Sequence, residues 1–203
     1  EVSGNYAVLQ SNFGTVAGAI LSPSNGNLTV TSTSSSSNFC PVSIPVSSGK
    51  WYVEVTAAGS GTASTCGIWK ADIDHTTNYY QNPNYRYWQK DGNIYNGSGG
   101  VSANYGVTWA EGDVVGIALD MDNGKVFFSK NGTFLGTSNP VSGANPVVSG
   151  LTESWVFALQ SGQGTNHTLH INTGQRSFAY TAPSGYKALN TASLPTPTIA
   201  DGS

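Results

Sequence analysis

Gly112-Asp113-Val114-Val115-Gly116-Ile117-Ala118-Leu119-Asp120-Met121-Asp122-Asn123-Gly124-Lys125-Val126-Phe127-Phe128-Ser129-Lys130-Asn131-Gly132-Thr133-Phe134-Leu135 reads as short strands joined by turns. From Asp113 to Asp120, Val115, Ile117 and Leu119 fall on one face of a chain whose side chains alternate. Asp122-Asn123-Gly124 predicts a tight hairpin, because Asn-Gly accepts the positive φ of a type I′ turn. Lys125 to Ser129 is the returning strand. Asn131-Gly132 predicts a second hairpin, and Thr133-Phe134-Leu135 opens a third strand. The meander is written in local turn chemistry, and it sets the class as all-β.

The same grammar extends outward. In Lys50-Trp51-Tyr52-Val53-Glu54-Val55-Thr56, Trp51, Val53 and Val55 share one face and Tyr52, Glu54 and Thr56 the other. Asp91-Gly92 marks a hairpin between Tyr85–Lys90 and Asn93–Tyr95. Further strands are expected at Ser154–Gln160, His167–Ile171, Leu28–Thr33 and Phe39–Ile44, with a loop at Ser34–Ser37. No uninterrupted helical periodicity competes with these runs, and no internal repeat is present. Many short strands at this spacing predict a sandwich or barrel. From Thr191 on, Pro195 and Pro197 punctuate a segment without strand pattern, which reads as a lead-out to a longer protein. Before it, the apolar bulk of Phe178, Tyr180, Tyr186 and Leu189 predicts docking on the sandwich.

Composition narrows the function classes. The 203 residues suit one domain or one domain with an extension. Only 9% of residues are charged, against about 25% in an ordinary soluble domain. The net charge is −3, and the eight Lys and Arg are scattered singly. Without a basic stripe to neutralise phosphates, nucleic acid is not an expected partner. The longest apolar run, Val114 to Leu119, is too short to span a bilayer, so no membrane is expected either. No basic segment followed by an apolar one marks a signal peptide. The opening on Glu1 rather than Met is expected of a processed chain or of a fragment, and a fragment is the favoured reading. A low-charge surface rich in Gly, Ser, Thr and Asn is in keeping with extracellular and phage-particle β proteins. Cys40 and Cys66 do not make a disulfide framework. They form either two buried thiols or one bridge, and the frequency of small buried Cys in cores favours the thiols.

A resemblance emerges at this point. Gly49-Lys50-Trp51-Tyr52-Val53-Glu54-Val55, Cys66-Gly67-Ile68-Trp69 and the run from Gly112 to Gly132 resemble the SPRY domain signature, over roughly Asn27 to Asn172. Gly174-Gln175-Arg176-Ser177-Phe178-Ala179-Tyr180, Pro183 to Asn190 and Leu194-Pro195 are similar to a segment that follows SPRY domains in bacteriophage-encoded proteins. The resemblance implies a bent antiparallel β-sandwich of concanavalin-like jelly-roll type. It implies a lead-in and edge strand over residues 1–26, the sandwich over 27–172, and an extension and linker over 173–203. It further implies binding through end loops, no enzymatic activity of the domain, no cofactor, and a virion, tail-associated or extracellular setting. The loop from Ala71 to Asn84 matches no ligand motif of the family, so no peptide-binding residues carry over.

Reactive constellations are sparse. A glycosidase needs two carboxylates across one bond; the candidates are Glu54, Asp72, Asp74, Glu111, Asp120, Asp122 and Glu153. Asp120 and Asp122 frame a turn, where Asp is expected for turn reasons, and Asp113 at a strand start reads the same way. Asp120 to Gly124 fails the EF-hand pattern, whose Gly and Glu spacing it lacks. An incidental cation at Asp72/Asp74 is left open, and no metal site is expected. His167 and His170, three apart on a strand, point to opposite faces. No Gly-x-Ser-x-Gly elbow and no phosphate loop occurs. Asn27, Asn96, Asn131 and Asn166 each begin an Asn-x-Ser/Thr match, read as composition in a protein of bacterial or phage origin.

The strongest functional signal is aromatic. Tyr79, Tyr80, Tyr85, Arg86, Tyr87 and Trp88 crowd into one stretch. Aromatic rings anchor interfaces and stack on sugars, and Asn supplies adaptable hydrogen bonds. Alternation places two of Tyr85–Trp88 inward, and Tyr87 is expected in the core. Trp69, Tyr79, Tyr80, Asn82 and Arg86 are the expected ligand contacts. The leading reading is a non-catalytic binding module that holds a virion protein, or a host surface protein or glycan. The alternatives are a purely structural decoration or self-assembly module, which would make a homo-oligomer, a carbohydrate-active enzyme, and a secreted bacterial adhesin.

Overall fold

A computed structural model describes residues 4–11, 23–32, 38–61, 63–71, 84–97, 101–161 and 167–195. These residues form two antiparallel sheets and no helix. The first sheet contains β1 (Thr29–Ser32), β12 (His167–Asn172), β3 (Lys50–Ala57), β8 (Val114–Asp120), β9 (Lys125–Lys130) and β10 (Thr133–Phe134), in that order. The short β13 (Lys187–Ala188) pairs in parallel with the start of β3. The second sheet runs β2 (Asn38–Pro41), β11 (Trp155–Ser161), β4 (Thr65–Lys70), β5 (Tyr85–Gln89), β6 (Asn93–Tyr95) and β7 (Val101–Asn104). The bent two-sheet sandwich expected from the sequence is the fold.

The meander forms where its turn residues place it, with one correction. Lys130 pairs directly with Thr133, and Asn131 and Gly132 between them have φ of 48° and 80°. That is the two-residue turn expected of Asn-Gly. At the first hairpin, Asp120 pairs with Lys125, so four residues make the turn, and of these only Gly124 has positive φ, 61°. The tight type I′ turn expected there does not form. Asp120 accounts for the wider turn: its carboxylate accepts hydrogen bonds from the Asn123 backbone N–H at 3.0 Å and side-chain amide at 2.9 Å.

Alternation fills the space between the sheets. Trp51, Val53, Val55, Ile117, Leu119 and Phe128 of the first sheet meet Cys66, Ile68, Trp88, Phe157 and Leu159 of the second. The Trp88 ring lies 6.1 Å from that of Phe128. Cys40 and Cys66 both face Leu159 in the strand between them and are free thiols. Burial pushes the Cys40 thiol up to about 12 and Cys66 higher still. Tyr87 is buried, as expected, but on the outer face of the second sheet. There it stacks on Tyr95 at 4.6 Å, beside Trp69, Tyr85 and Val156. Gly67 belongs to this outer row because a Cβ would meet Arg86 O at 2.0 Å and Tyr87 Cα at 2.6 Å.

The outer face of the first sheet is covered by the C-terminal extension. Tyr52, Ala118 and Phe127 pack there against Tyr186, Phe178 and Ala182. Glu54, on the same face and 3% exposed, accepts hydrogen bonds from the backbone N–H groups of Ala179 (2.7 Å) and Tyr180 (2.8 Å). Tyr52 OH donates to it as well. The chain then returns to pair Lys187 and Ala188 with Trp51 and Tyr52, and inserts Leu189 into the core. The N-terminal segment joins it: Ala7 N–H donates to Leu189 O at 3.0 Å, and Leu9 bridges Val42. The docking expected of Phe178, Tyr180, Tyr186 and Leu189 thus takes place through a buried carboxylate as well as through apolar bulk.

Candidate binding site

One end of the sandwich gathers the connections that precede β3 and β11, follow β4 and precede β5. Their mutual hydrogen bonds fix it. Val46 and Trp155 exchange backbone bonds at 2.8 and 2.9 Å, Ala71 N–H donates to Ser154 O at 2.8 Å, and Lys70 N–H to Asn84 O at 2.9 Å. The first hairpin turn joins from the other sheet. Gly49 N–H donates to Asp122 Oδ1 at 2.6 Å, and Leu151 N–H to Gly124 O at 3.0 Å. A Cβ on Gly124 would meet Leu151 O at 2.3 Å, so the turn must be glycine for the two segments to touch.

On this frame sit Arg86, Trp155, Lys70 and Glu153. Arg86 and Trp155 lie on the inward-facing rows at the ends of their strands, at the mouth between the sheets. The guanidinium carbon of Arg86 is 5.2 Å from the Trp155 ring centroid, and Arg86 Nη1 donates to Tyr85 O at 2.8 Å. Trp155 is pinned by its indole N–H on Thr152 O at 2.8 Å. Burial pulls the Arg86 pKa below the ordinary arginine value, and the group stays charged at any physiological pH. Lys70 forms an ion pair with Glu153, whose backbone has a positive φ of 66°. A left-handed non-glycine residue at a loop tip is a costly placement that points a side chain where the fold needs it. The result is a half-buried cation on an indole face beside an exposed ion pair. Groups of this kind are suited to binding.

The expected contacts divide. Arg86 is at the site, half-buried rather than on the outer surface, because strand alternation turns it toward Trp155. Trp69 is 2% exposed. Its ring packs 4.5 Å from Phe39 and 5.0 Å from Tyr85, so it does not present the exposed ring the sequence suggested. Tyr79, Tyr80 and Asn82 lie outside the described residues, as do Asp72 and Asp74. Trp155 and Lys70 were missed by sequence reasoning, and Glu153 was weighed only as a catalytic carboxylate. The available signal was a Trp opening a strand directly after a charged loop residue. Several carboxylates once weighed for catalysis have structural duties: Glu54 holds the extension, Asp120 pairs with Lys50 at 3.1 Å, and Asp122 holds Gly49. His167 and His170 diverge as expected. His167 is buried against Ser64 Oγ at 2.9 Å, and His170 reaches Thr29 Oγ1 at 2.8 Å. Among the described residues no cluster of His, Cys, Asp and Glu fits a metal ion, and no helix is long and apolar enough to cross a membrane.

A bent β-sandwich that carries an aromatic-backed cation at one end has the build expected of a recognition module. The chain belongs to the SPRY domain family, whose model matches residues 50–151. SPRY domains are protein-interaction modules, generally without catalytic activity. A curated relative, the Ran-binding proteins 9/10 homolog of Drosophila melanogaster, is 33% identical over 96 residues. That match takes in 46% of this chain and only 10% of the relative's length. The crystal structure of the SPRY domain of human HERC1 superposes with a TM-score of 0.64 at 15% identity, covering 83% of this chain and 99% of that one. This second likeness speaks to the fold alone. Neither relative is a bacteriophage protein.

Proposed function

We propose that this chain is the recognition module of a virion, tail-associated or extracellular protein, and that it holds a protein partner by the end that carries Lys70, Arg86, Glu153 and Trp155. The observation that carries the reading is the Arg86 guanidinium lying over the Trp155 ring, 5.2 Å from its centroid, next to the Lys70–Glu153 pair. Arg and Trp dominate the energetics of protein interfaces, and most of all where they are backed by packed, desolvated surroundings. The family's role in protein interaction supports a protein partner over a glycan. The low charge of the chain, 9% of residues, and the likeness of its C-terminal segment to phage-encoded proteins support the setting.

Self-assembly through an apolar face is the weaker reading. Among the described residues the exposed large hydrophobics are four, Tyr6, Val101, Tyr105 and Val141, and scattered exposed apolar residues need no oligomer to explain them. The test is retention of a partner from the source particle or extract on immobilised domain, followed by titration of the purified partner. Arg86→Ala should weaken the interaction by about 1–3 kcal/mol while leaving the thermal unfolding cooperative. Equal affinity in wild type and Arg86→Ala would remove this end as the site. Retention of glycan rather than protein would replace the partner class.

A further inference from the structure

The opposite end of the sandwich, where β3 stops and β8 begins, carries a groove of about 430 Å³. That volume is in the range of small-ligand sites. Its lining includes Ser60, Gly61, Lys90, Asp91, Trp109 and Glu111. Lys90 is 4% exposed, and its ammonium donates to Gly59 O at 2.6 Å and Gly61 O at 2.8 Å. The amine lies 5.6 Å from the Trp109 ring centroid. Among the described residues it makes no ion pair, the three found being Lys50–Asp120, Lys70–Glu153 and Lys130–Asp113. The buried ammonium is held by two carbonyl dipoles and a ring, with the charges of Glu111 and Asp113 near enough to favour it, and burying a cation to this degree is costly for a fold. An ammonium has three N–H donors, and the two carbonyls take up two.

Trp109 lies beside it. It is 2% exposed, and its indole N–H, itself sealed from solvent, has no acceptor among the described residues. A buried donor left without an acceptor costs folding free energy and calls for a reason. The rim has the opposite character. Glu111 is exposed and makes no ion pair among the described residues. Asp91 is also exposed and accepts only from neutral groups: the Gln89 amide, the Asn93 backbone N–H and the Asn93 amide, each at 2.9 Å. The floor therefore offers the remaining N–H of an ammonium and an indole ring, and the rim offers acceptors.

We propose that this groove binds a neutral, hydroxyl-rich ligand, a saccharide unit. A hydroxyl both accepts and donates, so one ring of hydroxyls can answer the floor and the rim together. An anionic ligand meets Asp91 and Glu111, and a cationic one meets Lys90. A peptide strand also carries both kinds of group but gains its affinity from an open sheet edge. Here β5 is paired on both sides, and Thr108 to Glu111 lie outside any strand. The site is separate from the Arg86 end and stands or falls independently of the proposed function.

Nuclear magnetic resonance of the full ¹⁵N-labelled chain tests it directly. The five tryptophan indole signals are followed while cellobiose, maltose or N,N′-diacetylchitobiose is added, with glucuronate and glucosamine as charged probes. Trp109→Phe assigns the Trp109 signal. A neutral disaccharide should shift that signal saturably, and the charged probes should not. The surface change Glu111→Ala should weaken binding about fivefold or more, as loss of a charged hydrogen-bond partner does, and Arg86→Ala should leave it unchanged. The proposal is overturned if no neutral disaccharide moves the Trp109 signal up to its solubility limit. Charged probes moving it equally, or Glu111→Ala binding as tightly as wild type, would overturn it too.

Discussion

Of the places in this molecule that put charge against aromatic rings, two do opposite things with it. On the outer face of the first sheet, Glu54 is buried and accepts two backbone N–H groups of the extension and the Tyr52 hydroxyl. Its neighbours Tyr52 and Phe178 close edge to face at 5.0 Å. At the end of the sandwich, Arg86 and Lys70 are half-buried, and Glu153 is exposed. The first arrangement is satisfied from within the chain and leaves nothing to offer a partner. The second stands at the mouth between the sheets, with its guanidinium on an indole face. The difference is one of enclosure: the first charge is closed in by the chain's own extension, whereas the second lies at an end of the sandwich beside the exposed Glu153.

The largest expected effect lies on the covered face. Ending the chain after Thr173 removes Tyr186 and Leu189 and bares Tyr52 and Phe127. It should abolish the cooperative thermal transition or leave an aggregating, dye-binding species. A truncated chain that melts like the full one would break the comparison, since the extension would then be a passive tail. Glu54→Ala strips the acceptors of three donors at once. It should cost about 2–4 kcal/mol in urea denaturation, with partner affinity retained by whatever fraction remains folded.

The open end should show the reverse pattern. Arg86→Ala should reduce stability by less than Glu54→Ala does, while weakening partner binding by about 1–3 kcal/mol. If it destabilised the fold as much as Glu54→Ala, Arg86 would be structural too. The smallest effect concerns pH. Burial, and then the positive charge of Arg176 in the extension, hold the His170 pKa below its ordinary 6.5. The unfolded chain therefore takes up the proton first as pH falls. His170 contributes stability that is complete above about 6.5 and declines as pH drops through the folded value. The wild type should lose stability gradually below that pH, and His170→Gln should flatten the slope. An unchanged slope would mean that His170 senses neither burial nor the extension.

How far the sequence could be read follows from how local each signal is. Asn131-Gly132 encodes its own turn, and the meander around it was legible because pairing there needs only neighbours. The wider turn at Asn123-Gly124 was misjudged because the deciding contact comes from the Asp120 side chain. The strand Val101–Asn104 was missed, since Val-Ser-Ala-Asn carries neither strong alternation nor a flanking hairpin signal. Glu54 shares its face with Tyr52 and Thr56, and alternation alone does not show that this face is covered. Its partners lie 125 and 126 residues away, and no local pattern announces them. Trp69 failed for the same reason, on an outer face that turns out to be buried. At the candidate site, Arg86 was singled out through its aromatic neighbours, but Trp155, whose ring it faces, comes from a strand on the far side of β4. Lys90 looked like the end of a hairpin strand because the groups that single it out are the carbonyls of two distant glycines.

One measurement addresses the contrast most directly. A photo-crosslinking amino acid is placed at position 153 on the open end or at position 187 on the covered side, both exposed. Each full-length chain is irradiated in an extract of its source particle or cell. The account predicts one discrete crosslinked protein from position 153, lost on Arg86→Ala, and none from position 187. A discrete product from position 187 alone would contradict it, because the partner would then ride on the extension and the Arg86 end would be scaffold.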